Sequence, residues 1–498
     1  MSLITGCGLA IFGGTISAIY YFKPQTVNVS PVFLAVVSYM LGEAMAYGIP
    51  RKGPIGRFLN PHPFTKKEHL AIIIMANAAS VSALGIELLA VERLYYDAKL
   101  NSAMSIFLLF SSQLLGYGIA GLMRKALVYP KNMLWPSNIP INNMLETLHR
   151  PRSVTRKPLK VFLIVFFCIF CWEIVPEWIM PILTGVSVFC LANQNSAVFT
   201  NIFGGASGNE GLGLFSWCMD WQYISGGNSP LYYPMESLIS QGIGVAMCIF
   251  LYSAAYYTNL WQTQDLPFLS QVLFNDRSNS TNFIQWNQTT VIGSNNKIDP
   301  AALAVEGLPR ITATYCLNIL VSNMSISAGI VHLLLWNMGD LKVVLDFATP
   351  SSLKKSFNSF KHWRTFKKDE NARSEEIPEN YDPHYRLMLK YKPLPNWWFL
   401  VILVIAVVVA LVILYMGGST LPWWGFLVSC LVSWILLLFF GAMNAVTGLG
   451  MVIQPIVQLI GGYIQPENPV ANMYFTLYVS LVPILVFTYS KPPLLMQF

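Results

Sequence analysis

Apolar runs of about bilayer length recur along the whole 498-residue chain. Lipid offers no hydrogen bonds to the backbone, so each run that crosses a membrane must be helical. Only 11% of the residues are charged, against about 25% in soluble domains. The sequence therefore predicts an all-α integral membrane protein, multi-pass, with the lipid bilayer as its surroundings and 1–498 as a single polytopic domain. About twelve transmembrane helices are expected, at 3–22, 31–49, 69–91, 104–123, 160–180, 182–200, 236–260, 311–336, 396–416, 421–443, 446–464 and 470–489.

The distribution of Lys and Arg among the connections predicts the orientation of these helices. Connections 50–68, 124–160 and 338–395 hold 24 of them, whereas 23–30, 92–103 and 262–310 hold 6. Cytosolic connections carry the excess of basic residues. Residues 338–395 are therefore expected to be a cytosolic loop, and residues 262–310 an extracellular or lumenal loop.

Two glycosylation sequons support this orientation. Asn279 and Asn287 begin Asn-x-Thr/Ser triplets inside the 262–310 loop, where an extracellular acceptor would lie. Residue 180 then ends outside and residue 236 starts inside, so the connecting segment must cross an odd number of times. The simplest solution is one crossing near 182–200, followed by a glycine-rich segment on the cytosolic side or dipping in from it.

Motif content argues against an enzyme, a cofactor or a bound metal. The sequence has no nucleophile elbow, HExxH motif or P-loop, and its six histidines lack metal-ligand spacing. Cys168 and Cys171 lie within an apolar run, which favours packing over redox chemistry. The basic residues flank membrane spans, so they indicate topology and anionic lipid rather than nucleic acid.

Acidic residues inside or beside apolar runs are candidate functional groups, because an ionised carboxylate in lipid needs a cavity or a partner. Glu87 has apolar neighbours on both sides and is a candidate for proton exchange; a helix-end position facing water or Arg93 is the alternative. Glu173 and Glu177 are one turn apart and flank Pro176, so a kinked helix would present both to a cavity. An interfacial position accounts for them equally well, and it accounts for Glu43 too.

The segment "NIFGGASGNEGLGL" (201–214) interrupts this apolar sequence with five glycines. Glycine permits tight turns and close approach of a ligand or a helix to the backbone. Broken helices of transporters expose N–H and C=O groups to their substrates in this way. Asn209 and Glu210 would add side-chain contacts, and Glu210 suits a peptide amino group. An ordinary flexible loop is the alternative.

Seven blocks in order resemble the oligopeptide transporter family, in its peptide-transporting branch. The glycine-rich N-E-G-L-G stretch is the hallmark among them. The seven blocks read "NPHPFTKKEHLAIIIMANAAS" (60–80), "SSQLLGYGIAGLMRKALVYPKNMLWPSNIP" (111–140), "NIFGGASGNEGLGL" (201–214), "DWQYISG" (220–226), "YYTNLW" (256–261), "DPHYRLMLKYKPLPNWWF" (382–399) and "GGYIQPENPVANMYF" (461–475).

The resemblance implies proton-coupled uptake of small oligopeptides, including glutathione, by alternating access and without a cofactor. Its partners would be a peptide and protons, and the plasma membrane is the expected location, with an internal membrane as the alternative. Proton coupling is assigned to Glu87 and Glu210. By position, the substrate contacts are Gly208, Asn209, Glu210, Gly211, Gly213, Gln113 and Tyr117, and the N-P-x-P-F block supplies Asn60, Pro61, Pro63 and Phe64.

Two departures from the family pattern affect this expectation. His62 replaces the glycine of the N-P-G block, which removes backbone freedom between two prolines. Family members continue through further spans to a K-I-P-P-R motif, of which Lys491-Pro492-Pro493 is a trace. A shortened, non-transporting or regulatory relative is therefore the alternative function, and the oligomeric state is open.

Overall fold

A computed structural model of the chain describes most residues from 2 to 489. These are residues 2–23, 29–54, 56, 60, 62–80, 84–98, 100–128, 130, 133, 135–193, 195–205, 210–224, 231, 233–293, 297–336, 338, 396–448, 450 and 452–489. They form helices joined by loops, with isolated β-bridges and no strand among them. The expected all-α class is confirmed for this part of the chain. The predicted cytosolic loop 338–395 lies outside it except for Met338.

Seventeen α-helices are numbered here in chain order within the described residues. They are α1 Ser2–Tyr20, α2 Pro31–Gly48, α3 Lys66–Ser80, α4 Leu84–Tyr95, α5 Ser102–Leu127, α6 Ile139–Leu148, α7 Arg152–Ile174, α8 Val188–Ala192, α9 Ala197–Phe203, α10 Trp221–Ile224, α11 Met235–Tyr257, α12 Pro300–Glu306, α13 Ala313–Trp336, α14 Asn396–Met416, α15 Trp423–Thr447, α16 Gln454–Ile464 and α17 Pro469–Tyr489.

Nine helical stretches in the described part are long and apolar enough to cross a bilayer. They are Ser2–Tyr20, Pro31–Gly48, Lys66–Tyr95, Ser102–Arg124, Arg156–Ile179, Met235–Tyr257, Ala313–Trp336, Trp397–Met416 and Trp423–Thr447. Each matches a predicted run to within a few residues. The multi-pass membrane class is therefore confirmed, with nine candidate spans where about twelve were expected.

The predicted span at 182–200 is wrong. This stretch forms a 3-10 turn at Pro181–Thr184 and then α8 and α9, which have five and seven residues. The polar run at 193–196 separates the two helices, and Ser187 starts α8 by accepting the Cys190 N–H at 3.3 Å. Average hydropathy is insensitive to such local breaks. The predicted span at 446–464 is likewise shortened, because α15 ends at Thr447, is capped by Gly448 with φ 77°, and α16 begins only at Gln454.

The described chain divides into two compact units. The first comprises Met1–His149 with Ile326–Phe498, and the second comprises Arg150–Ser325. In the first unit, α5 packs along α14, α1 along α3, and α17 against α5, α15 and α16. The most deeply buried large side chains of its core include Trp135, Phe426, Tyr474 and Tyr478.

The second unit contains α7, α11 and the folded 262–310 loop. Side chains 156–168 of α7 are all exposed and mostly apolar, as expected for a helix that faces lipid. The loop has a small core around Phe268 and Phe274, and Thr312 and Thr314 fasten it by donating to the carbonyls of Ser270 and Phe268.

Candidate functional site

The glycine-rich segment folds back on the end of the short helix α9. The N–H groups of Leu212 and Leu214 donate to the carbonyls of Asn201 and Ile202 at 2.9 and 3.1 Å. A side chain at Gly211 would overlap the carbonyl oxygens of that helix, and Gly213 has φ 69°. Both positions therefore require glycine because of the close fold of the chain's own backbone.

The predicted substrate residues of this segment are only partly described. Glu210 is exposed at the surface of the second unit, next to the buried Gly211. Gly208 and Asn209 lie outside the described residues. The described glycines thus fix the conformation of the segment, and Glu210 is the one predicted substrate residue with a side chain that the structure describes there.

A cavity of about 440 Å³ lies beside this segment. Roughly 300–1,000 Å³ is typical of small-molecule sites. Leu212 forms one part of its wall, and one face of α11 forms the rest. The α11 lining residues recur at helical spacing and are Gln241, Gly244, Val245, Cys248, Ile249 and Tyr252.

Polar side chains connect this cavity with neighbouring elements of the second unit. The Tyr252 hydroxyl lies 3.5 Å from Asn318 Oδ1 on α13, and Asn201 Nδ2 lies 3.4 Å from the Tyr257 hydroxyl. An apolar cavity with an amide and a hydroxyl on one wall suits a small ligand that carries both apolar and polar groups. Sequence reasoning missed Gln241 and Tyr252, although they lie on one face of a predicted span.

Gln113 and Tyr117 lie one turn apart on α5, as predicted, and both are half-buried. They belong to the first unit, whereas Glu210 belongs to the second. Gln113 and Tyr117 thus remain a predicted pair on one helix of the first unit, and the glycine-rich segment belongs to the second unit.

Glu87 is half-buried on α4, and its carboxylate accepts a hydrogen bond from the Tyr21 hydroxyl. Tyr21 follows the last residue of α1. The structure thus pairs Glu87 with a hydroxyl from another helix, a contact that neither sequence interpretation included. A phenol beside a carboxylate stabilises its charge and also gives a proton a second oxygen.

Glu92 is a second intramembrane carboxyl group, which the sequence analysis missed. It lies one to two turns after Glu87 on α4 and is only 2% exposed. Its Oε2 makes no hydrogen bond among the described residues, and the buried Tyr474 of α17 is its electrostatic neighbour. A buried carboxyl group without a full set of partners in lipid is a functional candidate. The adjacent Arg93 made this position look like a surface helix end.

The N-P-x-P-F block has a structural role in the first unit. Asn60 is buried, and its Nδ2 donates to the carbonyls of Ala46 and Ile49, both at 2.9 Å, at the end of α2. Phe64 is buried against Gly42, whereas Pro63 is exposed. Pro61 lies outside the described residues. The block therefore fixes the entry of the chain into α3.

Beside this block, His69 and His149 form a hydrogen-bonded pair. His69 Nε2 lies 2.8 Å from the Ala35 carbonyl, and its Nδ1 lies 3.0 Å from His149 Nε2. Because a carbonyl only accepts, Nε2 of a neutral His69 donates and its Nδ1 accepts from His149. Burial, with the neighbouring His69 and Lys66, lowers the pKa of His149 to about 4.

Both sequon asparagines are exposed on the folded 262–310 loop. Asn279 lies in a tight turn closed by backbone hydrogen bonds with Asn282, and Asn287 begins a 3-10 turn. The Thr289 hydroxyl donates to Asn287 Oδ1 at 2.7 Å, within the same sequon. Both positions are accessible, as an N-glycan acceptor requires.

Comparison with known proteins shows the family to which the chain belongs. A family model described as "OPT oligopeptide transporter protein" matches residues 1–482. The chain belongs to the OPT oligopeptide transporter family. Its members are transporters and not enzymes, so the expected non-enzymatic class is confirmed.

Several relatives within the OPT family resemble the chain over most of its length. Oligopeptide transporter 7 and oligopeptide transporter 6 of Arabidopsis thaliana are each 29% identical to it, over 92% and 97% of the chain. Oligopeptide transporter phomP2 of Diaporthe leptostromiformis is 26% identical over 94%. The chain covers 57%, 63% and 53% of these three proteins. No solved structure matches it.

Proposed function

We propose that this chain is a proton-coupled transporter of small oligopeptides in the plasma membrane, working by alternating access. Family membership over residues 1–482 is the observation that carries this proposal. Its relatives in Arabidopsis thaliana and Diaporthe leptostromiformis are oligopeptide transporters, which supports the substrate class.

The chemistry of a short peptide matches the groups around the α11 cavity. A peptide carries an ammonium group, a carboxylate, backbone amides and variable side chains. In our proposal, Gln241 and Tyr252 bind its amides, and the apolar wall takes its side chains. Glu210 receives its ammonium group, and Gly208, Asn209, Gly211 and Gly213 remain the proposed contacts beside it in the sequence. Gln113 and Tyr117, which lie on α5 in the first unit, are proposed as substrate contacts in their own right.

Proton coupling in this proposal uses Glu87 and Glu210, with Glu92 added by the geometry. Glu87 shares its proton with Tyr21. Glu92 lies on the same helix, is more deeply buried than Glu87 and neighbours Tyr474. An acid that is alternately charged and neutral in a low-dielectric setting links proton movement to a conformational change.

Uptake of a labelled tetrapeptide and of labelled glutathione tests the proposal. Cells that display the chain at their surface are compared at acidic and alkaline external pH. We expect accumulation against the concentration gradient at acidic pH and its collapse with a protonophore. A surface-displayed chain without gradient-dependent accumulation would indicate a non-transporting or regulatory relative.

Three acid-to-amide variants then test the assigned residues. Glu210→Gln is expected to abolish uptake at every pH if its charge binds the ammonium group. Glu87→Gln and Glu92→Gln are expected to flatten the pH dependence of uptake, because a permanently neutral group cannot titrate. The matched control is Glu236→Gln, which changes an exposed acid at the start of α11. Normal uptake with normal pH dependence in a variant would remove that residue from the mechanism.

A further inference from the structure

Three carboxylates of the second unit converge where α7 ends. One oxygen each of Glu173, Glu177 and Asp220 lies within 4.8 Å of the others. Glu173 and Glu177 are half-buried, and Asp220 is only 1% exposed. Like charges repel at this separation, so three ionised carboxylates would cost free energy here unless a cation or a shared proton lies between them.

A π-helical turn brings the two glutamates to one side. Val175–Ile179 follows α7 directly, and the Met180 N–H donates to the Val175 carbonyl at 2.8 Å, five residues back. Pro176 lacks an N–H group, which favours a break in the regular α-helical ladder here. Single π-turns of this kind are frequent at functional sites.

Backbone contacts fix the segment that carries Asp220. Trp217 exchanges two hydrogen bonds with Val186 at 2.7 and 2.9 Å, and the Met219 N–H donates to the Leu183 carbonyl at 2.9 Å. Met219 in turn accepts from Trp172 Nε1 on α7 at 2.9 Å. The backbone directly before Asp220 is therefore held by Val186, Leu183 and Trp172 and is not a free loop.

The hydrogen bonds among the described residues leave one buried carboxylate oxygen of this cluster without a partner. The Trp221 N–H donates to Glu173 Oε1 at 3.0 Å, and the Gln222 N–H donates to Asp220 Oδ1 at 2.7 Å. Asp220 Oδ1 therefore caps the N-terminus of the short helix α10. Asp220 Oδ2 is buried and has no hydrogen-bond partner among the described residues. Such a group is costly unless a ligand completes it.

We propose that Glu173, Glu177 and Asp220 bind a divalent cation, with Asp220 Oδ2 as a central ligand. Ca²⁺ and Mn²⁺ prefer carboxylate oxygens, and two oxygens on opposite sides of Ca²⁺ are about 5 Å apart. The observed 4.8 Å spread therefore encloses one such ion. The sequence-based expectation of no metal considered His and Cys ligands, and this group contains neither. The proposal is independent of transport, because binding requires neither a gradient nor a peptide.

Mn²⁺ binding to the purified full chain in lipid nanodiscs tests this inference. The free ion is followed by electron paramagnetic resonance during a titration. We expect one saturable site per chain, displaced by Ca²⁺, and at least a tenfold weaker site in Asp220→Asn, since even outer partners of a metal contribute about 10–100-fold. Glu236→Gln serves as the control and is expected to bind like the unaltered chain.

A second measurement locates the ion. Tb³⁺ emission requires a nearby excited indole, and Trp172 and Trp221 contact this segment. Trp221→Phe keeps the backbone N–H, so it is expected to reduce Tb³⁺ emission and leave Mn²⁺ affinity unchanged. If Asp220→Asn does not fold, Glu173→Gln replaces it. The proposal is overturned if Mn²⁺ shows no saturable binding, or if the folded carboxylate variant binds Mn²⁺ as tightly as the unaltered chain. Either result indicates that the carboxyl groups share a proton instead.

Discussion

At the scale of single residues, His149 gives the first unit a defined response to acid. Its pKa is lowered from 6.5 to about 4 by burial and by its neighbours His69 and Lys66. The unfolded chain therefore binds more protons than the folded chain between these two pH values. Stability is expected to be fully present above pH 6.5 and to fall as the pH drops towards 4.

The variant His149→Gln tests this expectation. Glutamine retains a donor for His69 and does not titrate, so part of the loss of thermal stability between pH 6.5 and 4 should disappear. The measurement is the unfolding temperature of the detergent-purified protein as a function of pH. His62→Gln, at the exposed histidine of the neighbouring N-P-x-P-F block, should keep the acid loss. Equal pH profiles for the unaltered chain and His149→Gln would contradict this role.

At the residue scale, the sequence shows which side chains are chemically unusual but not which partners they have. An acid between apolar residues identified Glu87 as a candidate, yet the sequence gave no sign of its partner Tyr21, which lies 66 positions away. Glu92 was missed because burial of its face depends on α17, far along the chain. Such partners follow from tertiary packing, which local sequence does not contain.

At the scale of helices, Gly118, the second glycine of the Q-L-x-G-Y-G block, sets the distance between α5 and α14. A Cβ at Gly118 would lie 2.8 Å from Leu403 Cβ and 2.9 Å from Leu403 Cα. Small residues allow membrane helices to approach closely, and their backbones then pack against each other. The family block on α5 therefore has a packing role in addition to the predicted role of Tyr117.

Gly118→Leu is expected to destabilise the protein by about 1–3 kcal/mol, as overpacking does in tight cores. The measurement is the unfolding temperature and the yield of monodisperse protein in detergent. Gly8→Leu on α1 is the control, because a Cβ there meets nothing within 4 Å. Unchanged stability in Gly118→Leu would show that α5 and α14 separate easily.

The α11 cavity gives a second prediction at this scale. Gly244 lines the cavity, whereas Gly242 does not, and a Cβ at either meets nothing within 4 Å. Gly244→Leu should therefore fold normally and fill the cavity, lowering peptide uptake roughly tenfold or more, which corresponds to about 1.4 kcal/mol of binding. Gly242→Leu should transport normally. Equal uptake by both variants at matched surface expression would place the substrate elsewhere.

Hydropathy predicted the long helices well and the short ones poorly. The bilayer requires a minimum length and an apolar surface, so spans such as Met235–Tyr257 are visible in composition alone. The region 182–200 has the same average character, but its polar run at 193–196 lies between two short helices, and the first of them is capped by Ser187. The glycine-rich segment stays a predicted substrate site, and its described glycines Gly211 and Gly213 serve the fold of the chain itself.

At the scale of the whole molecule, the orientation of the spans is the remaining expectation. Lys and Arg are concentrated in 50–68, 124–160 and 338–395, which predicts a cytosolic side for these connections. Since 182–200 forms no single long helix, the crossing between residue 180 and α11 must be made by the short elements there if this orientation is right. The side of the membrane on which the 262–310 loop lies therefore decides how the segments of the second unit cross the bilayer.

Glycosylation and epitope accessibility show on which side of the membrane the loop lies. With 262–310 outside, the chain expressed in eukaryotic cells should migrate faster after N-glycosidase treatment. Asn279→Gln and Asn287→Gln should each remove part of this shift, because both asparagines are exposed. An epitope inserted at residue 295 should bind antibody on intact cells, and a matched epitope at residue 370 should bind only after permeabilisation. The reverse staining pattern would place the loop in the cytosol, and α11 would then run in the opposite direction.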